Sequence, residues 1–109
     1  MKMIVAVIQP FMLDRVVRAL RGKVHGLTCW EVRGFGTEVS QARSELNVGD
    51  YFSQKVRLEI VVDDARVQPV MDAIQTLAHT GHSGDGKVFI LPVEDALRIS
   101  TGQTGIMAI

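Results

Sequence analysis

A chain of 109 residues fits one domain, residues 1–109, and leaves little room for a second. Twelve Lys and Arg balance twelve Asp and Glu, and zero net charge argues against a nucleic-acid partner, whose binding rests on phosphate neutralisation. An apolar fraction of 47% excludes general disorder, and Cys29, the only cysteine, excludes an internal disulfide or a cysteine-built metal site.

Met3 to Ile8 is an apolar run closed by Gln9 and Pro10. It is too short for a signal-peptide core or a bilayer span. Its Ile and Val content predicts a buried strand, so a soluble, cytoplasmic chain is expected. Leu13, Val16, Val17 and Leu20 recur at helical spacing and predict a helix ending near Arg21, with Gly22 and Gly26 at its exit. Arg15, Arg18, Arg21 and Lys23 read as its solvated side. Leu27 to Arg33 predicts a second strand, with Trp30 as a packing residue and Cys29 buried and inert.

Gly34-Phe35-Gly36 ends that strand and reads either as a hinge or as a plain strand end. Thr37 to Gln54 is polar and aperiodic over 18 residues; a loop of that length in so small a domain is functional or disordered. Val56 to Val62 predicts a third strand. Asp63 and Asp64 are candidate caps for a second helix. The buried stripe of that helix is Val67, Val70, Met71, Ile74 and Leu77 or Ala78, with Pro69 in the first turn. A Gly-rich turn over 80–87 leads into a fourth strand, Lys87 to Val93, stopped at Pro92. The tail from Arg98 reads as irregular.

The order strand–helix–strand, loop, strand–helix–strand predicts an α+β, ferredoxin-like βαββαβ fold. Its four-stranded antiparallel sheet would carry both helices on one face. The other face, left bare, is expected to meet further subunits.

Thr80-Gly81-His82-Ser83-Gly84-Asp85-Gly86-Lys87 is the sharpest chemical feature. Its glycines let backbone N–H groups converge on an anion, and Lys87 adds a charge suited to phosphate. It is not a Walker loop, since the Lys leads into a strand. Phosphate binding and a plain helix-to-strand turn both remain open for it. Lys55, at the far mouth of the long loop, meets an acidic ligand or is simply solvated. Arg98, before Thr101-Gly102, could reach a phosphate, within its own chain or across a subunit boundary, and a single Arg is a weak signal by itself. His79 and His82 lack a third ligand nearby, so helix capping is favoured and no metal is expected. No catalytic triad or Cys–His pair can be argued from spacing, and no catalytic residue is assigned.

Five separated segments resemble the PII nitrogen-regulatory signal-transduction proteins, in a divergent form. They are Gln9-Pro10-Phe11 with Leu13-Asp14; Thr28 with Glu31 to Gly36; Lys55 to Val62; Thr80-Gly81 with Gly84 to Phe89; and Arg98-Ile99 with Thr101-Gly102. The resemblance implies a homotrimer with an adenine nucleotide (ATP, ADP or AMP) in each cleft between subunits. Gly84, Asp85, Gly86 and Lys87 would hold the phosphates. Val7, Thr28, Gly34, Phe35, Gly36, Glu59 and Val61 would line the adenosine, with Lys55 at the base of the long loop. Arg98 would come from the neighbouring subunit and join through the C-terminal loop, 98–109. The long loop, the family's T-loop (37–54), would carry the ligand state to a membrane transporter or a metabolic enzyme.

Departures from the family pattern refine this expectation. Glu38 stands where the family usually has a Gln that helps hold magnesium and 2-oxoglutarate. A carboxylate there repels a dicarboxylate, so 2-oxoglutarate sensing is not expected and magnesium is left open. Tyr51 is all that remains of the segment that is uridylylated in some members, and uridylylation is not expected. Ser100 replaces a second Arg, and losing one charge-assisted contact (~1.5–3 kcal/mol) lets ADP or AMP compete with ATP. Divergent branches of the family are linked to metal-efflux pumps, or to carboxysomes and bicarbonate, and a bicarbonate near Lys55 is a further reading. The rival readings are a small phosphatase using His82, Ser83 or Asp85, an RNA-binding domain short of the aromatics it needs, and a scaffold with a decayed site.

Overall fold

The structure, a computed structural model, describes residues 1–36 and 52–109. Strand β1 (Lys2–Ile8) alternates, and Ile4, Ala6 and Ile8 are buried on one face. Strand β3 (Ser53–Val62) alternates likewise, with Val56, Leu58, Ile60 and Val62 buried. The antiparallel register sets Ile4 opposite Ile60, Ala6 opposite Leu58 and Ile8 opposite Val56. Directly opposed residues share a face, so these seven side chains form one apolar plate. Helix α1 (Leu13–Leu20) lies on it through Val16 and Leu20, and helix α2 (Val67–Ala78) through Val70, Ile74 and Ala78. Burial of each larger side chain stabilises the fold by about 1.5–3 kcal/mol.

Strand β4 (Gly86–Pro92) pairs with the free side of β1, and strand β2 (Thr28–Gly34) with the outer side of β3. The antiparallel order β2-β3-β1-β4 with both helices on one face is the ferredoxin-like fold expected. The opposite face carries Val5, Val7, Lys55, Arg57, Glu59 and Val61, flanked by Thr28 and Trp30 on β2 and by Lys87, Phe89 and Leu91 on β4. Trp30, Phe89 and Leu91 stay exposed there, so Trp30 is not the packing residue expected within one chain.

Several local expectations are corrected. Cys29 is exposed. It lies on the helix side, opposite Leu58, but β2 is an edge strand that contributes nothing to the core. Strand β3 starts at Ser53, where Ser53 and Gln54 pair with Gly34 and Arg33, so the long loop ends earlier than its sequence suggested. A 3-10 turn, Pro10–Met12, precedes α1, and the Met12 N–H donates to the Gln9 carbonyl at 3.0 Å. Another, Asp64–Arg66, precedes α2, with Pro69 in the first turn of the helix as expected. Neither Asp63 nor Asp64 caps with its side chain. Asp64 pairs instead with the Met1 amino group at 3.1 Å and with Lys2 at 3.6 Å, and Asp63 with Arg66 at 3.4 Å. The tail is ordered by a Leu97–Thr104 bridge and a 3-10 turn, Gly105–Ala108. The expectations on Glu38 and Tyr51 lie outside the described residues.

Candidate functional site

Helix α2 gives way at His79, which turns to extended backbone. The chain then reaches β4 through Gly81, Gly84 and Gly86, all at positive φ (88°, 91° and 117°), a region in which side chains are strained. Asp85 braces this turn from within. Its carboxylate accepts the Thr80 N–H at 2.7 Å, the Thr80 hydroxyl and the Gly81 N–H at 3.2 Å. The hydrogen bonds from the Thr80 hydroxyl and N–H hold the carboxyl below its ordinary value, and Gly81 and nearby His79 add to this. Asp85, expected at the phosphates, thus spends its oxygens on the loop itself. The His79 ring stands 3.7 Å from the same carboxylate, so its contact is not with the helix carbonyls that capping would use.

On the other side of the turn, the Gly84 carbonyl accepts two hydrogen bonds, from Lys55 Nζ at 2.7 Å and from Gln9 Nε2 at 2.7 Å. Lys55 is not solvated, for only 8% of it is exposed. Lys55 borders a cleft of about 270 Å³ lined also by Val7, Gly34, Phe35, Gly36, Gly84, Gly86 and Lys87, together with Phe89. Among the described residues no carboxylate lines this cleft. Among the described residues neither Lys55 nor Lys87 has an ion-pair partner. A buried ammonium without a counter-charge is unfavourable, and two cations beside a glycine turn suit an incoming anion. At the cleft's edge Phe35 packs edge-on against Phe52, ring centroids 5.2 Å apart, where the β2–β3 ladder closes.

Thr28, Glu59, Val61 and Arg98 line a different cavity, of about 390 Å³, with the C-terminal Ala108 and Ile109. Arg98 donates to the Ile109 carbonyl oxygen at 3.3 Å. Four strand positions, about 13 Å, separate Lys55 from Glu59. Between them Arg57 stands 5.8 Å from the Trp30 ring and 3.3 Å from the Glu59 carboxylate. One chain therefore divides the expected residues into two groups, one cationic and one around Glu59 and Arg98. Gln9 and Phe89, which the sequence places only within the resemblance segments, are not among the expected site residues. The available signals were a polar residue closing an apolar run and the alternation counted on from Lys87.

No group of three or more metal-ligating side chains occurs among the described residues. Nor, among them, is any helix long and apolar enough to cross a membrane.

Fold and cleft together define a ferredoxin-like domain with a glycine turn and two lysines beside a cleft at the start of its edge strand. The family model described as nitrogen regulatory protein P-II matches residues 1–103. The chain is 45% identical over 110 residues to the nitrogen regulatory protein P-II of Azospirillum brasilense, covering 96% of each. It is 46% identical over 114 residues to that of Nostoc punctiforme and 45% identical to that of Synechocystis, covering the whole of both chains in each case. The chain belongs to the nitrogen regulatory protein P-II family, a family of signalling proteins.

Proposed function

We propose that the chain is a regulatory protein, not an enzyme, that binds an adenine nucleotide and reports it to a partner through the loop over 37–54. The carrying observation is the cleft with two cations and, among the described residues, no carboxylate, in which Lys55 is buried beside the turn of Gly84, Gly86 and Lys87. The phosphates of ADP, AMP or ATP supply the missing negative charge. The backbone N–H groups of the turn and the two ammonium groups hold them, as nests and lysines hold phosphate generally.

The group of Thr28, Glu59, Val61 and Arg98 supports a nucleotide shared between copies. It lies on the same sheet face, four positions further along β3, and lines a separate cavity. A homotrimer, the assembly expected from the resemblance, sets one copy's cationic cleft against the next copy's Glu59 group, so that each cleft is completed by a neighbour. Magnesium would arrive on the phosphates, since the described cleft lining offers it no carboxylate. The partner is a membrane transporter or a metabolic enzyme, met in the cytoplasm. Phe35, in the cleft wall and against Phe52 at the loop's neck, links ligand to loop. A phosphatase reading is disfavoured because Asp85 is committed to the turn. Bicarbonate is a second reading, favoured by a Lys55 ammonium that has no ion-pair partner among the described residues.

Calorimetric titration with ATP, ADP and AMP, each with and without 2-oxoglutarate or bicarbonate, tests the proposal. The expected result is binding of adenine nucleotides with no enhancement by 2-oxoglutarate. Absence of binding by any adenine nucleotide contradicts it, and saturable binding of bicarbonate alone selects the second reading.

A further inference from the structure

Two unlike donors meet on one acceptor in this molecule. A carbonyl oxygen has two lone pairs, and those of Gly84 are filled by the ammonium of Lys55 and the carboxamide of Gln9, each at 2.7 Å. The Lys55 ammonium carries three N–H groups, and Lys55 lines the cleft. The Gln9 carboxamide is neutral and does not line it. A phosphate oxygen is a stronger partner for an ammonium than a neutral carbonyl is, so an anion entering the cleft competes with Gly84 for Lys55 and leaves Gln9 undisturbed.

Gln9 is also well founded as an anchor. Ile8 before it is buried in β1, Pro10 after it fixes the backbone, and its own carbonyl accepts the Met12 N–H at 3.0 Å. Its side chain spans 75 positions of sequence to reach Gly84. The peptide from Gly84 to Asp85 is planar, so pinning the Gly84 oxygen also sets the direction of the Asp85 N–H. Gly84 itself, at φ 91°, has no side chain to restrain it.

We propose that Gln9 is a positioning residue of the cleft. It is a neutral tether that keeps the glycine turn in its binding shape when Lys55 leaves the Gly84 carbonyl for a phosphate. This rests on the nucleotide reading above. It predicts that Gln9 matters little to the turn in the free protein, where Lys55 still holds Gly84, and matters most in the bound one.

The test measures ADP affinity by calorimetry and backbone hydrogen exchange over residues 79–87, free and ADP-saturated. It compares the wild-type chain with Gln9→Met, which keeps length and removes the donor. Gln9→Met is expected to weaken ADP about three- to tenfold, the worth of one neutral hydrogen bond. Exchange of the turn should quicken chiefly in the ADP-saturated protein. Gln9→Leu, a neutral side chain that also lacks the donor, is expected to give the same exchange pattern, and serves if Gln9→Met does not fold. Wild-type binding of ADP with affinity and exchange unchanged in the variants overturns the inference. So does exchange that quickens equally with and without ADP, the mark of a merely structural contact. A wild-type chain that binds no adenine nucleotide overturns the functional reading and this inference with it.

Discussion

Gly86 lies so flat against Val7 that a Cβ added to it would stand 1.8 Å from the Val7 carbonyl oxygen. The glycine that ends the turn is therefore also the residue that admits β4 to the sheet beside β1. Gly86→Ala combines a backbone clash with a φ of 117°. It is expected to destabilise the fold by roughly 2–4 kcal/mol, read as a lowered urea midpoint. A midpoint equal to wild type would contradict the close approach.

Lys55 gives a prediction of opposite sign for stability and binding. Its buried charge has no ion-pair partner among the described residues, and an apolar replacement of a buried charge is often neutral or stabilising. Lys55→Met is expected to leave stability unchanged or raise it by up to about 2 kcal/mol. ADP affinity should fall by about tenfold or more, as loss of a charged hydrogen bond demands. Thermal unfolding and calorimetry on the same preparation check both halves. A destabilised variant that still binds ADP normally would reverse the assignment.

Acid should loosen the turn through Asp85. Hydrogen bonds to the ionised carboxylate keep its value in the folded protein below the ordinary 3.8. A depressed folded value means that the contribution is fully present above the unfolded value and is lost as pH falls through the folded one. The window therefore opens near pH 4 and extends downward. Asp64, also lowered, by the Met1 amino group first and by Lys2, titrates in the same window. The share of Asp85 is the difference between wild type and Asp85→Asn. Urea midpoints from pH 6 to pH 2 should fall less steeply for Asp85→Asn than for wild type. Parallel curves would remove Asp85 as the brace.

Sharing of the site between copies predicts complementation. Lys87→Ala damages the cationic group and Arg98→Ala the group around Glu59, and each alone is expected to weaken ADP by about tenfold or more. Oligomers mixed from the two variants would regain some intact clefts, seen as a high-affinity fraction in the titration. No such fraction in a mixture proven to exchange subunits would place the whole site within one chain.

Much of this architecture is legible in the sequence, because apolar alternation and helical spacing both report which side of an element is buried. Ile4, Ala6 and Ile8 against Val56, Leu58 and Ile60 are found where that reasoning puts them. Cys29 is misread because propensity marks a strand without telling an edge from a centre. The caps at Asp63 and Asp64 fail because an ion pair with the amino terminus draws Asp64 away. Burial of Lys55 depends on a carbonyl 29 positions away, which no local pattern encodes. The division of the expected nucleotide residues between two cavities is likewise a matter of distance along β3, invisible until the strand is laid in its sheet.

The most direct measurement is a crystal structure of the ADP complex. The account predicts phosphate oxygens within hydrogen-bond distance of Lys87, Lys55 and the N–H groups of the glycine turn. The adenosine should lie against Thr28, Glu59 and Val61 of a neighbouring copy. ADP bound wholly within one chain, or a cleft at Lys55 and Lys87 closed by side chains while ADP sits elsewhere, would contradict it.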